Sequence, residues 1–186
     1  MNNTMDAQKH WNIPQQILIV LAHPDDPEFF CGASIAKWTK AGHNVDYCLL
    51  TCGDKGTKDR SLESKELCCI RQKEQRAAGS ILGVANITFL NYEDGYLIPS
   101  LELRRDITRV LRKVRPDILV TCDPRTLFFG SNRINHPDHR AAGQGVSGRF
   151  GCHAGRDFAV GFRRRRLRRN HGAGVPPGAR ELHGGA

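Results

Sequence analysis

"LIVLAHPDDPEFFC", residues 18–31, joins two unlike halves. Leu18 to Ala22 is a short apolar run of strand length. It stops at His23, and Pro24, Asp25, Asp26, Pro27 and Glu28 follow directly. Three acids and a histidine at the end of a buried strand read either as a polar loop or as a metal site. The neighbouring segments weigh one reading against the other.

Four segments read as buried strands: "ILIVLA" (17–22), "NVDYCLLT" (44–51), "NITFLNY" (86–92) and "DILVTCD" (117–123). Helix-length segments separate them. "CGASIAKWTKAG" (31–42) ends on a glycine suited to a C-cap, and "SLESKELCCIRQKEQRAAGSILG" (61–83) opens at Ser61 and ends at Gly83. A third helix starts from Ser100 as N-cap and stops before Pro116. Its apolar positions Leu103, Ile107, Val110, Leu111 and Val114 keep helical spacing. Alternating strands and helices with near-continuous apolar strands predict an α/β fold, a mostly parallel sheet with helices on both faces. Sites in such sheets lie beyond the carboxyl ends of the strands. The polar segments 23–28, 51–56, 93–96 and 123–139 all follow strands and converge on that edge.

The 186 residues suit one domain with a sizeable core. The chain is 39% apolar and 25% charged, which excludes a membrane-embedded class, since no apolar run nears the ~20 residues of a membrane span. The first residues show no basic start and no apolar stretch, so no secretory signal is expected, and the expected location is cytoplasmic. Seven cysteines without a CxxC pair are then expected to be reduced and inert. The net charge of +9 is unevenly spread. Residues 144–186 hold nine arginines, no lysine and only Asp157 and Glu181 as acids, a balance of +7.

The metal reading gains its second half from "NHPDHRAAG" (135–143). Pro137 suits the first position of a helix, which makes His136 the N-cap and puts His139 in the first turn. A catalytic zinc needs about three N/O ligands and an open position. His23 and Asp26, on a turn stiffened by Pro24 and Pro27, can supply two, and His139 the third. Adjacent side chains diverge, so Asp25 is left as a general base. His136, beside the metal, can bond a developing oxyanion or deliver a proton. HPDD alone and HPDH alone are weak signals. Together, each after a predicted strand, they are far more specific.

"AHPDD", "TCGDKG" and "HPDH", in that order, resemble the LmbE-like, PIG-L-type zinc-dependent N-deacetylases, from about Ile17 to Gly143. The resemblance implies a Rossmann-like fold and removal of acetyl groups from N-acetylglucosaminyl compounds, a small N-acetylated sugar being the partner. It implies His23, Asp26 and His139 as ligands of Zn²⁺, with Fe²⁺ or Co²⁺ the other ions such ligands take. It implies Asp25 as base and His136 as acid or oxyanion donor. It also places Arg71 and Asp94 at the substrate; a solvated helical arginine and an ordinary Asp-Gly turn are the plain alternatives. Family members commonly carry Glu directly after HPDD, where this chain has Pro27 and then Glu28. The two glycines of "TCGDKG" are spaced to let backbone N–H groups face an anionic substrate group. A homo-oligomer is left open.

The resemblance stops near Gly143. Residues 144–186 hold ten of the 19 glycines and the run "RRRRLRR" (163–169), without a clear amphipathic period or a convincing paired strand. The expected division is therefore a deacetylase-like domain at 1–143 and an Arg/Gly-rich tail at 144–186. Family members continue with further strands and helices, so the fold is expected to be truncated at its C-terminal side. The tail reads as a basic arm for nucleic acid or an anionic surface, as a disordered segment, or as the product of a frameshift in a GC-rich gene. A nucleic-acid-binding protein and an inactive deacetylase-like protein are the rival functions.

Overall fold

The computed structural model describes residues 11–129, 132–148 and 158–160. The elements in order are β1 (Gln16–Leu21), α1 (Asp26–Lys40), β2 (Asn44–Thr51), α2 (Ser64–Ile81), β3 (Asn86–Tyr92), α3 (Leu101–Val114), β4 (Ile118–Thr121), β5 (Phe128–Phe129), β6 (Arg133–Ile134), α4 (Pro137–Ser147) and β7 (Phe158–Val160). Five strands form one sheet in the order β3-β2-β1-β4-β7, and every neighbouring pair is parallel. The short β5 and β6 make a separate antiparallel pair. The α/β class and the parallel sheet expected from the sequence are what the chain forms.

β1 is buried because it is central. Ile17 pairs in register with Val45 on one side and Ile118 on the other, and Ile17 to Val20 are 0% exposed. Alternate residues of β1 face different helices. Leu18, Val20 and Ala22 pack with Leu103, Ile107, Ala142 and Val146 of α3 and α4. Ile17, Ile19 and Leu21 pack with Ile35 of α1 and with Val45 and Leu49 on the same face of the sheet. A strand covered on both faces has no polar side to show, which is why its sequence is uninterrupted.

The helix caps carry out much of what the sequence dictates. The Ser100 side chain accepts a hydrogen bond from Leu103 N–H, and α3 ends at Arg115 in the left-handed region, just before Pro116. His136 caps α4 through its side chain, with Pro137 in the first turn. α1 differs from expectation: it starts at Asp26, not near Cys31, so Asp26 and Pro27 belong to a helix rather than to a stiffened turn. A non-helical residue at Cys31 (φ −144°) marks the point where the sequence had placed the helix start. α2 opens after Glu63, not at Ser61, and α4 runs on to Ser147.

The tail contributes a paired strand that its sequence did not suggest. β7 pairs with β4 in parallel, Leu119 opposite Phe158 and Thr121 opposite Val160. Three residues are too few for a visible periodicity. The other tail readings, including those on residues 163–169, lie outside the described residues. Among the described residues no helix is long and apolar enough to cross a membrane.

The strand order fixes where a site can form. From β1 the chain winds outward through β2 to β3, then returns across β1 to β4. The loops after β1 and β4 therefore diverge, opening a crevice at the carboxyl ends of these two strands. His23 follows β1, and His136 and His139 lie on the segment after β4.

Candidate metal centre

His23 leaves β1 at the crevice floor and is only 8% exposed. Its backbone N–H donates to Asp26 Oδ2 at 2.8 Å, which turns the Asp26 carboxylate back toward the imidazole. His23 Nδ1 lies 3.5 Å from that same oxygen, and the other oxygen of Asp26 lies 3.1 Å from His139 Nε2. Ligand atoms of His23, Asp26 and His139 all fall within 4.8 Å of one another. The three residues expected to hold a metal thus meet, although α4 and β1 are more than a hundred positions apart. His23, His136 and Asp138 form an overlapping group at the same spacing.

The remaining ring nitrogens are held by the protein. His23 Nε2 sits 3.0 Å from Asp94 Oδ1 and 3.2 Å from Asp138 Oδ2. His139 Nδ1 lies 3.2 Å from Asn135 Oδ1, and the Asn135 amide is itself tied to Thr126 O at 2.8 Å. An imidazole fixed on one nitrogen offers the other at a defined angle, as metal-ligating histidines require. Burial opposes a charged His23, but the carboxylates of Asp138, Asp26 and Asp94 outweigh it and push its pKa up to about 11. Burial likewise opposes a charged Asp26, yet the two imidazoles hold its carboxyl well below the usual range. Three carboxylates thus gather around one imidazole. The centre's donors, two imidazoles and a carboxylate, fit a divalent ion of the zinc type.

Asp25 points elsewhere. Its backbone adopts φ 82° and ψ −27°, the left-handed region, and this separates it from Asp26. Its carboxylate accepts from Arg71 Nη2 at 2.8 Å and stays open to solvent. Loss of solvation raises its pKa, and the guanidinium opposes that rise. His136 stands over His23 with ring centroids 4.7 Å apart and edges crossed. Burial and the His23 charge lower its pKa. Its Nδ1 accepts the Asp138 N–H at 3.2 Å, so in the neutral ring the proton sits on Nε2.

Two residues expected at the substrate are engaged within the protein. Besides Asp25, the Arg71 guanidinium donates to Pro24 O at 2.9 Å and to Gly53 O at 3.4 Å. Asp94 is buried beside His23 and accepts from Lys55 N–H at 3.4 Å. The glycines of "TCGDKG" serve a different end from the one their spacing suggested. Gly53 N–H bonds Thr51 Oγ1 and Gly56 N–H bonds Gly53 O, so neither N–H is offered to an anion. A Cβ on Gly53 or Gly56 would fall 2.6 or 2.2 Å from Arg71 Nη1: the glycines make room for the guanidinium.

Two features were missed. Asp138 has no exposed surface and accepts Gly95 N–H at 2.7 Å and Leu97 N–H at 3.2 Å while bonding His23. Its signal was present, because "HPD" occurs twice, at 23–25 and at 136–138. The second is a disulfide between Cys52 and Cys68, Cα atoms 5.1 Å apart, which corrects the expectation of seven reduced thiols. No spacing rule links those two positions; the bond exists because α2 packs over the loop after β2.

Known proteins resemble the chain over about three quarters of its length. A diacetylchitobiose deacetylase of Thermococcus kodakarensis is 38% identical over 133 residues, covering 72% of this chain and 48% of that protein. The N,N'-diacetylchitobiose deacetylase structure from Pyrococcus horikoshii superposes with a TM-score of 0.65 at 33% identity, covering 78% of this chain and 58% of the other. The 4-carboxy-2-hydroxymuconate hydratase GalB of Pseudomonas putida shares the fold, with a TM-score of 0.62 at 21% identity over 73% of this chain and 55% of that one. The chain spans about half the length of the curated relatives it matches. The family described as "PIG-L: GlcNAc-PI de-N-acetylase" matches residues 18–149, and the chain belongs to that family.

Proposed function

We propose that the chain hydrolyses the acetamide of an N-acetylglucosaminyl compound, releasing acetate and the free amine. The observation that carries this reading is the meeting of His23, Asp26 and His139 at the crevice floor, with the His136 ring against His23. The deacetylase relatives support it over a nucleic-acid-binding or an inactive protein.

His23, Asp26 and His139 would hold the ion, zinc first and Fe²⁺ or Co²⁺ by the same donors. When bound, it supplies Lewis-acid polarisation of the amide carbonyl and a water of lowered pKa. Asp25, held by Arg71, takes the proton of the attacking water. The His136 Nε2–H donates to the oxygen that gains charge as the carbonyl becomes tetrahedral. A neutral ring suffices for this, so His136 acts as the oxyanion donor. Collapse breaks the C–N bond, and the proton held by Asp25 passes to the departing nitrogen. Atoms balance: water gives its oxygen to acetate, one proton to the nitrogen through Asp25, and its second proton, lost by the new carboxylic acid, to the amine, which ends as an ammonium.

The test is Asp25→Asn, assayed on N,N'-diacetylchitobiose by acetate release. Metal content should match the parent protein, while kcat falls by roughly 10²–10⁴-fold, the usual worth of a general base. Full activity in that variant removes Asp25 as the base. No acetate from the zinc-, iron- or cobalt-loaded parent removes the deacetylase reading.

A further inference from the structure

We propose that Gln75 is a positioning residue, whose side-chain amide holds the backbone of Asp25 in the conformation that parts the two adjacent aspartates. The inference rests on the role of Asp25 proposed above.

Asp25 is one of three non-glycine residues with positive φ among the described residues. An L-residue adopts that conformation only rarely, because its Cβ crowds the backbone. Asp25 also occupies the N-cap of α1 without using its side chain as a cap, because the carboxylate goes to Arg71. Something other than local preference must hold the backbone there. Gln75 is 2% exposed, and its Oε1 accepts the Asp25 N–H at 2.6 Å. Its Nε2 donates to both oxygens of Glu28, at 2.9 and 3.0 Å. Glu28 Oε1 also accepts from Tyr47 OH at 3.3 Å.

The polarity of this chain is fixed. An ionised glutamate only accepts, so the donor end of the Gln75 amide must face Glu28. The acceptor end is then left facing Asp25 N–H. Glu28 thus orients Gln75, and Gln75 pins Asp25. Arg71 and Gln75 lie four positions apart on α2, one helical turn, and so share a face. One turn of helix holds the Asp25 side chain through Arg71 and its backbone through Gln75. This also gives Glu28 a task that its displacement by Pro27 had left without one.

The test uses the full chain, metal-loaded and ¹⁵N-labelled. Gln75→Glu sets a carboxylate against Glu28, and the double variant Glu28→Gln with Gln75→Glu restores a donor opposite an acceptor. In Gln75→Glu, Asp25 amide exchange should speed up, and kcat should fall at least about tenfold with KM within about twofold. The double variant should regain Asp25 protection and kcat to within about threefold, the coupling expected of residues in one network. Unchanged exchange and kcat in Gln75→Glu overturn the inference. So does a folded double variant, by circular dichroism, whose Asp25 amide exchanges freely. Should Gln75→Glu fail to fold, the double variant decides alone. A parent chain that releases no acetate sinks the deacetylase reading, and the exchange measurement still decides Gln75.

Discussion

Asp138 shows how much one residue carries at this site. Its carboxylate is wholly buried, accepts two backbone N–H groups and bonds the His23 imidazole. Asp138→Asn keeps the shape and replaces one acceptor by a donor. We expect metal affinity to fall about 10–100-fold, the usual loss when the partner of a ligating histidine is removed, measured by chelator competition. Unaltered affinity would mean that His23 needs no such support. The sequence displayed Asp138 within a repeated HPD tripeptide but could not say what it touches, since His23 is 115 positions away. Gln75 was hidden more completely. A glutamine within a helix carries no signal until α2 is laid over the start of α1.

At the scale of elements, α4 must come very close to the chain leaving β4. A Cβ on Gly143 would lie 2.3 Å from Cys122 O and 2.9 Å from Pro124 N, both backbone atoms that cannot swing aside. Gly143→Ala should therefore destabilise by about 1–3 kcal/mol, read as a lower urea midpoint, and weaken metal binding because His139 sits one turn earlier on the same helix. A second device ties α2 to the loop after β2, where Cys52 and Cys68 close a loop of sequence separation 16. Dithiothreitol should lower unfolding stability by about 3 kcal/mol, the loop-entropy value for a ring of that size. Alkylation of the unreduced, unfolded chain should then label neither Cys52 nor Cys68; labelling of both would show that the bond is not formed. The α3 and α4 caps were legible because they are local chemistry. The early start of α1 was not, because prolines and adjacent acids read as a turn until Asp25 is seen to supply the bend.

For the whole molecule, the metal reading has a thermodynamic consequence. The proposed ligands come from the end of β1, the first turn of α1 and the first turn of α4. An ion bound there joins three elements, and the unfolded chain has no such site. Zinc at about a hundred times its Kd should add about 2.7 kcal/mol to unfolding stability. For a chain of this size that is a rise in Tm of roughly 5–10 °C, reversed by EDTA and read by calorimetry. Equal melting with and without the ion would argue against a preformed centre.

The sequence alone determined the strands β1 to β4, their parallel sheet and the two histidine-bearing segments, because periodicity, caps and turn residues act over a few positions. The family followed from the same motifs. Only the tertiary structure decided what each polar group does. Strand order put the loops after β1 and β4 on either side of one crevice, and helix packing chose the partners. Arg71 went to Asp25, Asp94 and Asp138 to His23, Gln75 to the Asp25 backbone, and Cys52 to Cys68. Those pairings depend on approach between distant segments, and such approach leaves no pattern in the order of residues.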